Sequence, residues 1–311
     1  MDAQAQISDW SLFDQTPEKS IAYPDGTQYD HKVRDDLIER CREIVESNPG
    51  CMDFRVTQDG TPYRVRCEIT QSGRVFFLRK IQSEVSVLSP KMVPKAIIKQ
   101  LTSPSLLQGG LVLIAGPPGV GKSTTATRTI VSRLSLFGGV AWSIEDPIEA
   151  HMEGIHGSRG GRCWQKEVAQ GGFPQAMRDV MRCYPAKVPG MLMVGEVRDS
   201  ETADECIRAA TNGLLVIATI HATGIRQTIE RMVSLTNDEN PGLVRETLAG
   251  TLKLIVRQSK MPNRDQIAFQ SLWIKSPGSA ASAIADGNLN MLGNDLEFQA
   301  NRIRMGEPVC Q

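Results

Sequence analysis

The chain changes its hydrophobic rhythm along its length. Between His31 and Ser47, apolar side chains fall at Val33, Leu37, Ile38, Cys41, Ile44 and Val45. That is the three-and-four spacing of a helix, and Asn48-Pro49-Gly50 ends it. Tyr63 to Ile69 and Arg74 to Lys80 alternate instead with a period of two. The Gln71-Ser72-Gly73 link between them predicts an antiparallel hairpin. Helix and hairpin together predict a small α+β domain over residues 31–87. Residues 1–30 have no sustained period and carry turn formers at Pro24-Asp25-Gly26, so a loosely ordered lead-in is expected there. Residues 88–109 hold Pro90, Pro94 and Pro104 around a short amphipathic piece, Lys95 to Leu101, and read as a linker.

From Gly110 onward, short apolar runs alternate with helical patterns. Leu111–Ala115, Val140–Ile144, Met191–Val194 and Leu214–Ile220 read as buried strands. Ser123–Leu136, Phe173–Cys183, Glu201–Ala210 and Ile225–Ser234 read as helices. This order predicts an α/β domain over residues 110–311, built on a parallel sheet covered on both faces. After Asn240-Pro241-Gly242 the pattern predicts a helix to Arg257, then shorter helical and polar segments to Gln311. A chain of 311 residues is long enough for both cores.

Three predicted strands end in residues that carry chemistry, and ligands collect at the carboxyl ends of such strands. The first strand runs into Gly116-Pro117-Pro118-Gly119-Val120-Gly121-Lys122-Ser123-Thr124, a full match to the G-x-x-x-x-G-K-[ST] phosphate-binding loop between strand and helix. Its glycines let backbone N–H groups turn toward a polyphosphate. Lys122 reaches the β- and γ-phosphates, and the Ser123 hydroxyl is placed for Mg²⁺. A nucleoside triphosphate, ATP with Mg²⁺, is the expected ligand. The second strand ends at Glu145-Asp146-Pro147, where a carboxylate could take a proton from water or hold Mg²⁺ through a water. The third ends at Val194-Gly195-Glu196-Val197-Arg198-Asp199, a Walker B form with Glu196 in place of the commoner Asp. An exposed Glu-x-Arg-Asp ion pair is the plainer reading of those residues. A further strand ends at Thr219-Ile220-His221, where His221 either meets the γ-phosphate or is a structural histidine bonded at a strand end.

Charge and composition narrow the class. Lys and Arg number 35, as do Asp and Glu, and aromatic residues make up 5 %. No basic field draws the chain to nucleic acid and few rings are available for base stacking, so direct nucleic-acid binding is not expected. A RecA-like nucleic-acid-dependent ATPase is the alternative. The seven cysteines include no C-x-x-C pair, which argues against zinc and for a reducing cytoplasm. No run of 18 apolar residues occurs, and Met1 to Tyr23 lacks the pattern of a signal peptide, so membrane work is expected to proceed through partners. The Asn-Lys-x-Asp element of GTPases and the Leu-Ser-Gly-Gly-Gln element of ABC ATPases are absent.

The phosphate loop, Ile144-Glu145-Asp146-Pro147-Ile148-Glu149, Gly195-Glu196-Val197-Arg198-Asp199 and Thr219-Ile220-His221-Ala222-Thr223 resemble, in order and spacing, the boxes of the secretion traffic ATPases. This is the family of type IV pilus motors and of type II and type IV secretion ATPases. Gln165-Lys166-Glu167-Val168 resembles its Gln-Arg-Glu-Val element, and Met177-Arg178-x-x-Met181-Arg182 its Leu-Arg-x-x-Leu-Arg helix. The resemblance covers roughly residues 60–260. It implies a homo-hexamer of cytoplasmic subunits, peripherally held at the inner membrane by secretion or pilus platform proteins. Each subunit would join a PAS-like N-terminal domain to a RecA-like P-loop domain. Glu145 would be the general base, Glu196 the Mg²⁺ and water residue, and His221 a γ-phosphate contact. Arginines of the hairpin would complete the site, with Arg64, Arg66, Arg74 and Arg79 as candidates; alternating arginine is equally the look of a solvated face. The sequence departs from the pattern at Asn212-Gly213-Leu214, where Thr-Gly-His is frequent, at Ala222-Thr223, where retraction motors carry Thr-Asn, and at Tyr184. With the missing tetracysteine module, these departures favour the branch serving conjugative and Dot/Icm-type transfer.

Overall fold

In a computed structural model, residues 7–24, 28–81, 85–168, 172–236, 240–261, 266–307 and 309 are described. The Asp25-Gly26 turn, residues 1–6 and Cys310 lie outside them. The chain divides into two compact units, Met1–Glu84 and Val85–Gln311.

The first unit contains β1 (Asp9–Phe13), β2 (Ile21–Tyr23), α1 (His31–Ser47), β3 (Asp53–Gln58), β4 (Thr61–Thr70) and β5 (Gly73–Lys80). Its sheet has the order β2-β1-β5-β4-β3 and is antiparallel throughout. The expected hairpin is β4–β5, with Tyr63 facing Lys80 and Thr70 facing Gly73. Asp30 caps α1 by accepting the Lys32 N–H at 2.8 Å. Leu37, Ile38 and Cys41 of that helix are buried on Trp10, Leu12, Val65 and Phe76 of the sheet. The expected loose lead-in therefore contains two strands. In β1, Trp10 and Leu12 alternate with Asp9 and Ser11, and both apolar side chains enter the core. The strand β3 was also not anticipated.

The second unit contains α2 (Lys95–Leu101), β6 (Gly110–Ala115), α3 (Lys122–Phe137), β7 (Val140–Glu145), β8 (Gly154–His156), β9 (Gly161–Glu167), α4 (Gly172–Met181), β10 (Gly190–Val194), α5 (Ser200–Thr211) and β11 (Leu215–Ile220). It continues through α6 (Ile225–Leu235), α7 (Pro241–Thr251), β12 (Leu252–Lys260), β13 (Ile267–Trp273), α8 (Ser279–Ala285) and α9 (Leu292–Arg304). The sheet order is β13-β12-β6-β11-β10-β7-β9-β8. Six neighbouring strands from β12 to β9 run parallel, and β13 and β8 are antiparallel edges. β6 shows why its sequence is wholly apolar. Leu111, Leu113 and Ala115 enter one core, with α5 and α6, while Val112 and Ile114 enter the other, with α2 and α3. Leu88, Val93, Ile97, Leu101 and Leu106, from the segment expected as a linker, belong to that second core.

The expected helix to Arg257 is corrected by the pairing of β12. The helix ends at Thr251, and Leu252 to Arg257 pair in parallel with Leu111 to Ala115. Leu254, Ile255 and Val256 are buried on both faces of a strand, a use that suits β-branched residues. The C-terminal stretch expected to be helical and polar also supplies β13, which pairs Ile267 to Trp273 against β12.

Candidate active site

The carboxyl ends of β6, β7, β10 and β11 lie side by side, in the order β6-β11-β10-β7. At the end of β6 the backbone turns at Gly116, where φ is +156°. A Cβ on Gly116 would lie 2.4 Å from the Gln258 carbonyl oxygen and 2.9 Å from Val120 Cγ1, so only glycine fits. Gly119 and Gly121 adopt φ of +70° and +87°. Pro117, Pro118 and Gly119 are exposed, whereas Val120 is buried beneath the loop as its anchor. α3 begins at Lys122, so Lys122, Ser123 and Thr124 bring the unpaired N–H groups of a helix N-terminus to the loop. These features make a cradle for a polyphosphate.

Lys122 is buried, and burial holds its ammonium below the usual lysine range, with Glu196 and Glu149 acting in the other direction. Its Nζ donates to the Pro117 carbonyl at 2.9 Å and lies 3.2 Å from His221 Nδ1. An ammonium only donates, so Nδ1 accepts and the imidazole proton sits on Nε2. Nε2 donates to Glu196 Oε1 at 2.8 Å. The 3.3 Å approach of Nδ1 to the Gly116 carbonyl is then a contact without a proton. Thus Lys122, His221 and Glu196, from β6–α3, β11 and β10, form one chain of hydrogen bonds.

Glu196 Oε2 accepts from Arg198 Nε at 2.7 Å, so the plainer ion-pair reading of this segment is present as well. The Arg198 side chain is 59 % exposed, and such a pair is worth at most about 1 kcal/mol. Asp199 serves as the N-cap of α5, accepting the Thr202 N–H at 2.8 Å. The Thr219 hydroxyl donates to the Gly195 carbonyl and ties the end of β11 to the turn after β10.

Glu145 is 3 % exposed at the end of β7. Burial pushes its carboxyl above the ordinary glutamate range, against the effect of the hydrogen bonds it accepts. The side-chain donors are Ser143 Oγ at 2.6 Å and Gln165 Nε2 at 3.1 Å, both to Oε1, and the Glu149 backbone donates to the carboxyl as well. Beside it the Gly195 N–H donates to the Ile144 carbonyl at 2.8 Å, and a Cβ at Gly195 would stand in ordinary contact, 3.5 Å, with Glu145 Cγ.

The hairpin arginines all belong to the first unit and all face acids. Arg79 Nε donates to Asp9 at 2.7 Å, Arg64 lies 3.7 Å from Asp53, Arg66 pairs with Asp53 and Glu68, and Arg74 lies 3.5 Å from Asp14. Arg64, Arg66 and Arg79 line an open concavity on the outer sheet face with Tyr23 and Phe77. Arg74 stands apart from it.

Four residues of the second unit carry the site without having been singled out for it. Ser143 and Gln165 hold Glu145. Gln258, buried under the loop, donates to the Val120 carbonyl at 3.4 Å, and its Oε1 has no partner among the described residues. Arg257 donates to the Thr223 carbonyl at 2.6 Å. The sequence signalled Gln165 only through the Gln-Lys-Glu-Val element, and nothing signalled Gln258 in a stretch expected to be helical.

The family model described as Type II/IV secretion system protein matches residues 48–283. The chain is 35 % identical over 232 residues to the type IV pilus ATPase PilU of Pseudomonas aeruginosa, covering 74 % of this chain and 57 % of that protein. It is 29 % identical over 240 residues to a twitching motility protein of Neisseria gonorrhoeae, covering 76 % and 61 %. It therefore spans under two thirds of the length of these curated relatives. Among solved structures, the pilus retraction motor PilT with bound ADP superposes with a TM-score of 0.75 at 23 % identity, over 96 % of this chain and 87 % of that one. The Legionella pneumophila ATPase DotB gives 0.70 at 22 %, over 94 % and 86 %. These structures share the fold of the chain, a mixed α/β architecture with a parallel-strand sheet. The site and the family match thus point the same way, and the chain belongs to the type II/IV secretion system protein family.

Proposed function

We propose that the chain is a P-loop ATPase, the motor of a type IV secretion, conjugative transfer or type IV pilus system, working as a cytoplasmic homo-hexamer docked on inner-membrane platform proteins. The observation that carries the reading is the hydrogen-bonded chain Lys122–His221–Glu196 at the mouth of the phosphate loop, with the buried Glu145 on the neighbouring strand end. The loop amides of Gly116 to Thr124, apart from the two prolines, and the Lys122 ammonium bind the β- and γ-phosphates. The Ser123 hydroxyl and the Glu196 carboxylate are hard oxygen donors suited to Mg²⁺, directly or through water. When bound, Mg²⁺ neutralises phosphate charge. Glu145 accepts the proton of the attacking water, a task that suits a carboxylate whose proton affinity burial has raised. His221 contacts the γ-phosphate. Arg64 and Arg79 are the arginines assigned to the phosphates, as the family resemblance implies; in this chain they face Asp53 and Asp9. The departures at Asn212-Gly213-Leu214 and Ala222-Thr223 favour the transfer branch over retraction, whereas the relatives PilU and PilT are pilus ATPases. Lys122→Ala tests the site: steady-state ATP hydrolysis should fall more than about 100-fold, with the thermal midpoint little changed. Undiminished hydrolysis would remove the assignment.

A further inference from the structure

Gln165 stands beside the reaction centre and has a complete set of partners. β7 and β9 pair in parallel with Ser143 opposite Gln165. Side chains two apart share a sheet face, so Ser143, Glu145 and Gln165 project on the side where Ala141 and Cys163 pack with α3. The Gln165 Oε1 accepts the N–H groups of Met152 at 2.7 Å and Glu153 at 3.0 Å. Its Nε2 donates to the Ala150 carbonyl at 2.9 Å and to Glu145 Oε1 at 3.1 Å. Both donor and both acceptor positions of the amide are used, and the opposite flip would set donor against donor.

Together these bonds connect a catalytic carboxylate to the loop that leads away from it. Ser143 Oγ donates to the same Glu145 oxygen at 2.6 Å. With Oε1 held by two donors, the carboxylate cannot turn about its last bond without losing both. A general base needs that restraint, because misplacing a reacting group by about 1 Å can cost on the order of 100-fold in rate. The Gln165 backbone N–H donates to Glu153 Oε2 at 3.2 Å, so the same loop is tied to β9 twice.

We propose that Gln165 is a positioning residue for ATP hydrolysis: it fixes Glu145 through Oε1, so that the carboxylate meets the attacking water in one orientation, and makes that orientation depend on the loop at 150–153. The proposal rests on the reading of Glu145 as the base.

Gln165→Glu keeps the oxygen that accepts from Met152 and Glu153 and replaces the donor to Glu145 with an acceptor. With the full-length protein, kcat for ATP should fall about 10- to 100-fold while KM stays within about twofold. In a Glu145→Gln background, the same change should alter the residual single-turnover rate by less than about twofold, because both substitutions act through one group. Gln165→Asn, which withdraws the amide by one methylene, should show the same kcat-selective loss and serves if the glutamate variant does not fold. Parent-level kcat in the folded variants, with Glu145→Gln inactive, would overturn the role of Gln165 and leave the base in place. An equal loss in the Glu145→Gln background would also overturn it, as a structural effect. Parent-level turnover in Glu145→Gln alone would remove the base and this proposal with it.

Discussion

Glu145 and Arg79 are both charged residues on strands, and the molecule holds them in opposite ways. Glu145 lies under the carboxyl edge of the second unit's sheet, 3 % exposed, with two side-chain donors on one oxygen. Arg79 lies on the outer face of the first unit's sheet, its side chain 71 % exposed and its guanidinium paired with Asp9. A buried carboxylate has lost its water and persists only where protein donors replace it, so its neighbours are not interchangeable. An exposed guanidinium keeps water as an alternative partner and gains about 1 kcal/mol or less from its ion pair. The first arrangement suits a group that must be in one place. The second suits a group that changes partners.

The contrast can be broken most severely at the phosphate loop. Gly116→Ala places a Cβ 2.4 Å from the Gln258 carbonyl, a backbone atom of β12, and should cost about 3 kcal/mol or more by denaturant unfolding. Gly119→Ala, with nothing within 4 Å of its Cβ, should cost only about 1–2 kcal/mol for the left-handed backbone. Equal losses would show that the close approach at Gly116 is not a real constraint.

A smaller effect should appear at Glu145 itself. Its carboxyl is raised in the folded protein relative to the ordinary value, so the folded state binds the proton more tightly. Stability from this group is greatest below the unfolded glutamate value and is lost as pH rises through the higher folded one. Glu145→Gln, which stays neutral, should therefore unfold at a higher temperature than the parent above that window, and the advantage should vanish in acid. A lower midpoint at neutral pH would mean that the hydrogen bonds outweigh the burial.

Gly195→Ala would press a methyl to 3.3 Å from the Ile144 carbonyl and 3.5 Å from Glu145 Cγ. It should lower kcat about tenfold for less than about 1 kcal/mol of stability. Arg79→Ala should change unfolding free energy by less than about 0.5 kcal/mol. A loss several times larger would place Arg79 in the same class as Glu145.

What the sequence disclosed follows the same division. β6, β7 and β10 were legible because each carries a buried apolar run into a glycine or an acid, β11 because its run ends at His221, and α3 because it follows the phosphate loop. β12 was not, since no glycine or proline separates Thr251 from Leu252 and a helix runs directly into a strand. What decides that strand is the free side of β6, where Leu254, Ile255 and Val256 become buried. β1 was hidden by its five-residue length, in which only Trp10 and Leu12 mark the inner face. The phosphate loop and the acids were readable as motifs. Ser143 was not, and Gln165 was marked only by the Gln-Lys-Glu-Val element without a role, because a hydroxyl and an amide carry no periodic signal and what they do depends on the pairing of β7 with β9.

The most direct test is single-turnover hydrolysis of radiolabelled ATP by Glu145→Gln, with nucleotide binding measured on the same preparation. ATP should bind as in the parent and remain unhydrolysed, with the rate reduced more than about 100-fold. Hydrolysis at the parent rate, or loss of ATP binding from a folded protein, would contradict a buried base at the end of β7.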